Sequence, residues 1–158
     1  MLVLFILLAS LVIFRALGTL GVDGLSTWSA ATRYALAVML VFTASAHFTR
    51  MREDLVRMMP TWVPWPRGMV YFTGVCELLG AIGLITPFLR QAAGIALIAF
   101  FILVFPANVK AARTGSTLRG RPATPLWLRA PMQLLFIVLT MMALLFLPVA
   151  TWMQWLLT

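Results

Sequence analysis

YFTGVCELLGAIGL, residues 71–84, carries a single charged residue, Glu77, among apolar and small ones. It lies within an apolar segment covering about 68–87. At 1.5 Å of rise per helical residue, Glu77 stands about 14 Å in from the Arg67 end. That is too deep for a carboxylate to reach water if the segment crosses a bilayer. At helical spacing its face also carries Thr73, Gly74, Gly80 and Ala81. Small residues along one stripe let a neighbouring backbone or a flat ligand approach closely, which is how helices associate in lipid. The stretch reads as a spanning helix whose polar stripe faces the protein.

The rest of the chain supports lipid as its solvent. Of its 158 residues 63% are hydrophobic and 10% charged, and the mean hydropathy is +1.02. Soluble domains are roughly 45–50% apolar. Apolar segments at about 2–21, 33–49, 68–87, 91–109 and 130–148 are each near the length that a hydrocarbon core of about 30 Å requires. All five should be helices, because lipid offers no partner to an unpaired backbone group. The expected fold is an all-α integral membrane protein, with no length left for a separate catalytic domain. Residues 1–22 form an additional N-terminal transmembrane helix, 33–148 a four-helix membrane domain and 149–158 an interfacial C-terminal tail. The first segment lacks a basic start and a small-residue cleavage site, so it is read as a retained helix rather than a signal peptide.

The net charge of +8 would suggest nucleic acid in a soluble protein. Here the basic residues flank apolar segments, where they orient helices and meet anionic headgroups, so no nucleic-acid partner is expected. Nine of them, Arg50, Arg52, Arg57, Arg67, Lys110, Arg113, Arg119, Arg121 and Arg129, fall in the second and fourth connections. Only Arg33 and Arg90 lie on the opposite side. The positive-inside rule makes the nine-residue side cytoplasmic, with the N-terminus inside and the C-terminus outside. Eleven of the twelve basic residues are Arg, a usage that hints at a GC-rich bacterium and hence at a multi-pass protein of the bacterial inner membrane.

Between the second and third segments, Met51, Leu55, Met58 and Met59 recur at helical spacing with charged residues between them, the pattern of a short amphipathic helix in the headgroup plane. Pro60, Pro64 and Pro66 follow, with Trp62 and Trp65 among them. The prolines are expected to forbid regular helix and the tryptophans to hold a stiff lid at the interface. The fourth connection, AARTGSTLRGRPATPLW, is expected to be a mobile basic loop over anionic lipid, and Trp152 and Trp155 to anchor the tail.

Polar groups inside spanning segments cost about 2.5–3.5 kcal/mol when charged and central, and are functional candidates by default. Arg15, His47, Glu77 and Asn108 qualify. Arg15 lies near a helix end, where its head can extend to the surface. His47, with Arg50 on the same face, and Asn108 each lie near the cytoplasmic end of a helix, with Glu77 roughly 9 Å deeper. The expected ligand site has His47 and Asn108 at its mouth, Glu77 at its floor, and Arg50 and Trp62 at the boundary. One His and one Cys do not make a metal ligand set. The lone Cys76 excludes an intrachain disulfide. No phosphate loop, dinucleotide fingerprint or Ser-His-acid trio is present.

Taken in order, ASAHF, MMPTWVPWP, TGVCELLGAIGL and FPANV resemble the motif series of the DoxX family of small bacterial membrane proteins over roughly residues 33–148. The corresponding residues are His47 and Phe48, Pro60 through Pro66, Gly74 with Glu77, and Pro106, Ala107 and Asn108. The resemblance implies a four-helix DoxX-like transmembrane bundle, here with one helix added in front. Some DoxX-like proteins are quinone-linked oxidoreductase subunits or partners in oxidative-stress and thiol-handling assemblies. It therefore implies either a lipophilic ligand such as a quinone, with its cofactor and reaction unassigned, or a non-catalytic role in which the polar residues fix helix packing and the basic face recruits a membrane or cytoplasmic protein partner. A lipid isomerase using Glu77 and His47 as acid and base is a third reading.

The charge bookkeeping predicts that a reporter fused at the C-terminus registers outside the cytoplasm and one inserted at Gly115 registers inside. The reverse pattern in a paired alkaline phosphatase and fluorescent-protein fusion assay would invert the molecule.

Overall fold

The computed structural model describes residues 2–114, 117–118, 121–122 and 124–145. The C-terminal tail with Trp152 and Trp155, the last residues of the expected final segment and the region around Gly115 lie outside the described residues. The described residues form six helices: α1 (Leu2–Thr19), α2 (Trp28–Phe48), α3 (Arg52–Met58), α4 (Pro66–Ile85), α5 (Arg90–Arg113) and α6 (Leu126–Leu145). All but α3 are long and apolar enough to cross a membrane. The one extended element described is a two-residue antiparallel ladder, β1 (Thr117–Leu118) with β2 (Arg121–Pro122), between α5 and α6. The class is all-α.

Helix ends differ from the expected segments for local reasons. α2 begins at Trp28 rather than Arg33, because the Thr27 side chain accepts a hydrogen bond from the Ala30 N–H at 3.1 Å and caps the helix. Arg33 is then carried inside, with Nη1 donating to Ser29 Oγ at 2.6 Å. Pro66 was expected to forbid helix and instead opens α4. A proline at the first helical position loses only an N–H that has no partner there anyway. Trp65 turns the chain into the helix with a left-handed backbone, φ 52°, and its ring lies on Gly68, where a Cβ would come within 2.4 Å of it. α5 and α6 run through Pro106 and Pro131.

The four longer helices α2, α4, α5 and α6 form a ring in that order, with α6 packed back on α2. α1 packs against the outside of α2, burying only Leu7. α3 lies across one end, in contact with α2, α4 and α5. The core is built from Leu36, Met39, Leu40, Leu84, Leu97 and Phe101, while large apolar side chains such as Phe5, Val12, Leu79 and Leu103 face outward, as they should in lipid.

Because lipid tails are as apolar as leucine, burial alone does not hold such a ring together, and close contact at small residues takes its place. A Cβ at Gly80 would meet the tip of Leu97 at 2.5 Å, and one at Gly94 the tip of Leu144 at 2.5 Å. At Gly74 the obstacle is stiffer: His47 Cβ at 2.6 Å and Cγ at 3.0 Å, with Phe48 Cε2 also at 3.0 Å. The α2–α4 contact has no flexible end to swing away. Gly74→Ala should therefore lower stability by about 1–3 kcal/mol and Gly80→Ala by less, read as thermal midpoints of the detergent-purified protein. Equal midpoints for the two variants would mean that α2 and α4 do not pack this closely.

Candidate functional site

The geometry around His47 follows from the missing Cβ at Gly74. In a helix, the carbonyl of residue i points toward residue i+4, so a glycine at 74 leaves the Val70 carbonyl open from the side. His47 occupies that opening: its Nδ1 lies 2.7 Å from Val70 O. A carbonyl oxygen only accepts, so Nδ1 carries the proton. The Thr73 hydroxyl donates to the same carbonyl at 2.9 Å and lies 3.2 Å from Nδ1.

With Nδ1 committed, Nε2 is turned toward Glu77, 3.6 Å from Oε2. Both side chains are nearly buried, at 12% exposure each. Oε2 has no hydrogen-bond partner, and the Thr43 hydroxyl of α2 borders the same carboxyl group. A bare Nε2 facing an ionised Oε2 would set two lone pairs against each other in a buried site, which is costly. The pair is satisfied when one further proton is held on either Nε2 or Glu77. At 3.6 Å the two atoms stand just beyond direct hydrogen-bond distance, and the chemistry available is proton exchange between them after a small approach, next to an open acceptor.

Asn108 is placed elsewhere. Its Nδ2 donates to Gln133 Oε1 at 3.2 Å, and its Oδ1 accepts from Arg129 Nη1 at 2.8 Å. Gln133 Nε2 donates in turn to the Phe101 carbonyl at 2.5 Å, and Arg129 Nε to the Thr124 carbonyl at 2.8 Å. This chain of donors joins α5 to α6. No described contact links it to His47 or Glu77. Pro106 removes the helical donor of the Ile102 carbonyl, and one residue earlier the Phe101 carbonyl accepts the Gln133 side chain. Sequence reading passed over Gln133 and Arg129, the first as uncharged and the second as part of a connection. A glutamine two residues after an intrahelical proline, in a span that must pack on another proline-bearing helix, was the available signal.

Arg50 and Trp62 are not at the His47–Glu77 pair either. Arg50 borders a groove of about 390 Å³ with Ser45, Thr49, Met51 and Asp54, and Trp62 is 73% exposed. What holds the segment between α2 and α4 is charge. Glu53 is reached by Arg52 at 3.4 Å and Arg67 at 3.3 Å. The Arg52 guanidinium also donates to the Tyr71 hydroxyl and lies over its ring, and Lys110 on α5 donates to the Met59 carbonyl. Arg15 donates to the Ser26 carbonyl at 3.3 Å and stacks on Trp28, near the opposite end. Among the described residues no group of three or more His, Cys, Asp and Glu could hold a metal ion.

Neither the curated proteins nor the solved structures contain a match to the chain. A family match begins in α2 and ends in α6, so it takes in the helix ring and leaves α1 outside. Over residues 36–144, more than half its length, the chain matches the family described as a domain of unknown function (DUF8561), and it belongs to that family.

Proposed function

We propose that the protein is a DoxX-like multi-pass protein of the bacterial inner membrane, oriented with α3 toward the cytoplasm, and that its His47–Glu77 pair binds and exchanges a proton with a lipophilic carbonyl ligand of the quinone type. The observation that carries this reading is the fixed tautomer: Val70 holds Nδ1, so Nε2 and the unpartnered Oε2 of Glu77 face one another inside the membrane span. An intramembrane acid with an unsatisfied oxygen is costly to keep for packing alone. A quinone headgroup offers carbonyl oxygens that accept from Nε2–H or from a protonated Glu77, and its reduction consumes protons that such a pair can pass on. The four DoxX-like motifs add support, since His47, Gly74 and Glu77 come from two of them and meet at one contact. In such an oxidoreductase subunit the electrons would come from a partner protein, for which the side rich in arginine, carrying the second and fourth connections, is the natural docking side.

A second reading is favoured by the α5–α6 network. Asn108 spends both its amide nitrogen and its oxygen on Gln133 and Arg129, as a packing lock would, and the Gly74 contact leaves no room beside the His47 Cβ. On that reading the protein is a non-catalytic assembly factor.

Native mass spectrometry of the detergent-purified protein separates the two. The ligand reading predicts a lipophile of quinone mass retained near one per chain, and a loss of about tenfold or more in retention for His47→Ala and Glu77→Gln, the scale of a hydrogen bond to a charged group, with helicity unchanged. A preparation without lipophile, carrying a stoichiometric protein partner that both variants keep, would replace it with the assembly reading.

A further inference from the structure

The junction of α1 with α2 holds a groove of about 390 Å³, lined by Leu11, Val12, Arg15, Ala16, Thr19 and Trp28. Leu11, Arg15 and Thr19 follow one another at four-residue spacing on α1, so the groove runs along that helix for about 12 Å. Its shallow end is marked by Thr19, the last residue of α1, and by Trp28, the first of α2 and 59% exposed. Its deep end, one turn further into the span than Arg15, is walled by Leu11 and Val12.

The connection after α1 fixes Arg15 in this groove. It folds back so closely that the Leu25 carbonyl leaves no room for a Cβ at Gly18. The next carbonyl, that of Ser26, accepts from Arg15 Nη1 at 3.3 Å, and the guanidinium lies 5.1 Å from the centre of the Trp28 ring. Neither contact neutralises the charge. A carbonyl and an indole carry no net charge, and four of the five guanidinium N–H groups are left over. The Thr19 hydroxyl is turned back to the Ala16 carbonyl at 2.7 Å and does not take them up.

No carboxylate pairs with Arg15 among the described residues. Of the four in the chain, Glu53 and Asp54 pair with Arg52, Arg57 and Arg67 at the α3 end, and Glu77 faces His47. Asp23 is exposed in the connection before α2 and is in none of the described ion pairs.

A guanidinium with free donors at the shallow half of a groove whose deep half is apolar fits an amphiphile with an anionic head. Its phosphate oxygens would accept from Arg15, and the start of an acyl chain would lie along Leu11 and Val12. Trp28 stands at the level where aromatic rings border the headgroups. A headgroup ending in an ammonium would bring a second positive charge beside Arg15, which a glycerol headgroup does not. We infer that the α1–α2 groove is a binding site for one anionic phospholipid, held by its phosphate on Arg15. The inference requires α1 and α2 to span a membrane, and it depends neither on the His47–Glu77 reading nor on which way the bundle is oriented.

The test releases the full chain from nanodiscs of phosphatidylcholine and phosphatidylglycerol in equal amounts and counts the retained lipids by native mass spectrometry. The unmodified protein should keep about one phosphatidylglycerol per chain in preference to phosphatidylcholine. Arg15→Gln should lower that retention about tenfold or more. Ala16→Phe fills the groove with Arg15 in place and should lower it as well, so it decides the matter if Arg15→Gln does not fold. Arg90→Gln removes a charge at the same end of the bundle but outside the groove, and should retain the lipid as the unmodified protein does. Equal retention of the two lipids, undiminished retention in Ala16→Phe, an equal loss in Arg90→Gln, or a two-chain species with no lipid bound would overturn the inference.

Discussion

A methyl group at residue 74 would stand 2.6 Å from the Cβ of His47, and the rest of the site depends on that closeness. Only where α4 has no side chain can the imidazole lie flat enough on the helix to reach the Val70 carbonyl. Helical carbonyls point toward the C-terminus and side chains lean back toward the N-terminus. The Val70 carbonyl and the Glu77 carboxyl therefore converge on the same turn of α4 from opposite directions. One imidazole ring spans the gap between them, with Nδ1 on the backbone and Nε2 on the acid.

The polar groups of the bundle divide into devices with different physics. The donors running from Arg129 through Asn108 and Gln133 to Phe101 end on a backbone carbonyl, so that network is closed and satisfied, the condition under which buried polar groups rigidify a core. The His47–Glu77 contact is open, since Oε2 accepts from nothing. Satisfied networks hold helices in register, and unsatisfied ones leave a place for a proton or a ligand. The contrast between the two is what supports the proposal of a function on α2 and α4 and of packing on α5 and α6.

Much of the architecture was legible because lipid imposes few choices: a run of about 20 apolar residues has to be a helix. The Met51, Leu55, Met58 and Met59 spacing marked α3 for the same reason of periodicity. His47 and Glu77 stood out as ionisable groups in oily segments, yet counting rise per residue put them roughly 9 Å apart in depth, which ignores that a glutamate leans one turn back along its helix. In the apolar pattern alone, Arg33 and Pro66 mark boundaries. Ser29 gives Arg33 a partner inside α2, and the first helical position tolerates Pro66. Gln133 was invisible for a different reason. An uncharged amide is cheap enough in a span to pass unnoticed, and its meaning arises only when Asn108, far away in sequence, arrives beside it. What the local pattern lacks in each case is the identity of the neighbour.

His47 is the only histidine of the chain, so nitrogen NMR of histidine-labelled protein in lipid reports on this one ring without assignment. The account predicts a protonated Nδ1, fixed by the Val70 carbonyl, and an Nε2 resonance that moves when Glu77 is replaced by Gln while the Nδ1 resonance stays. A ring with its proton on Nε2 and a bare Nδ1, or an Nε2 resonance indifferent to Glu77→Gln, would contradict it.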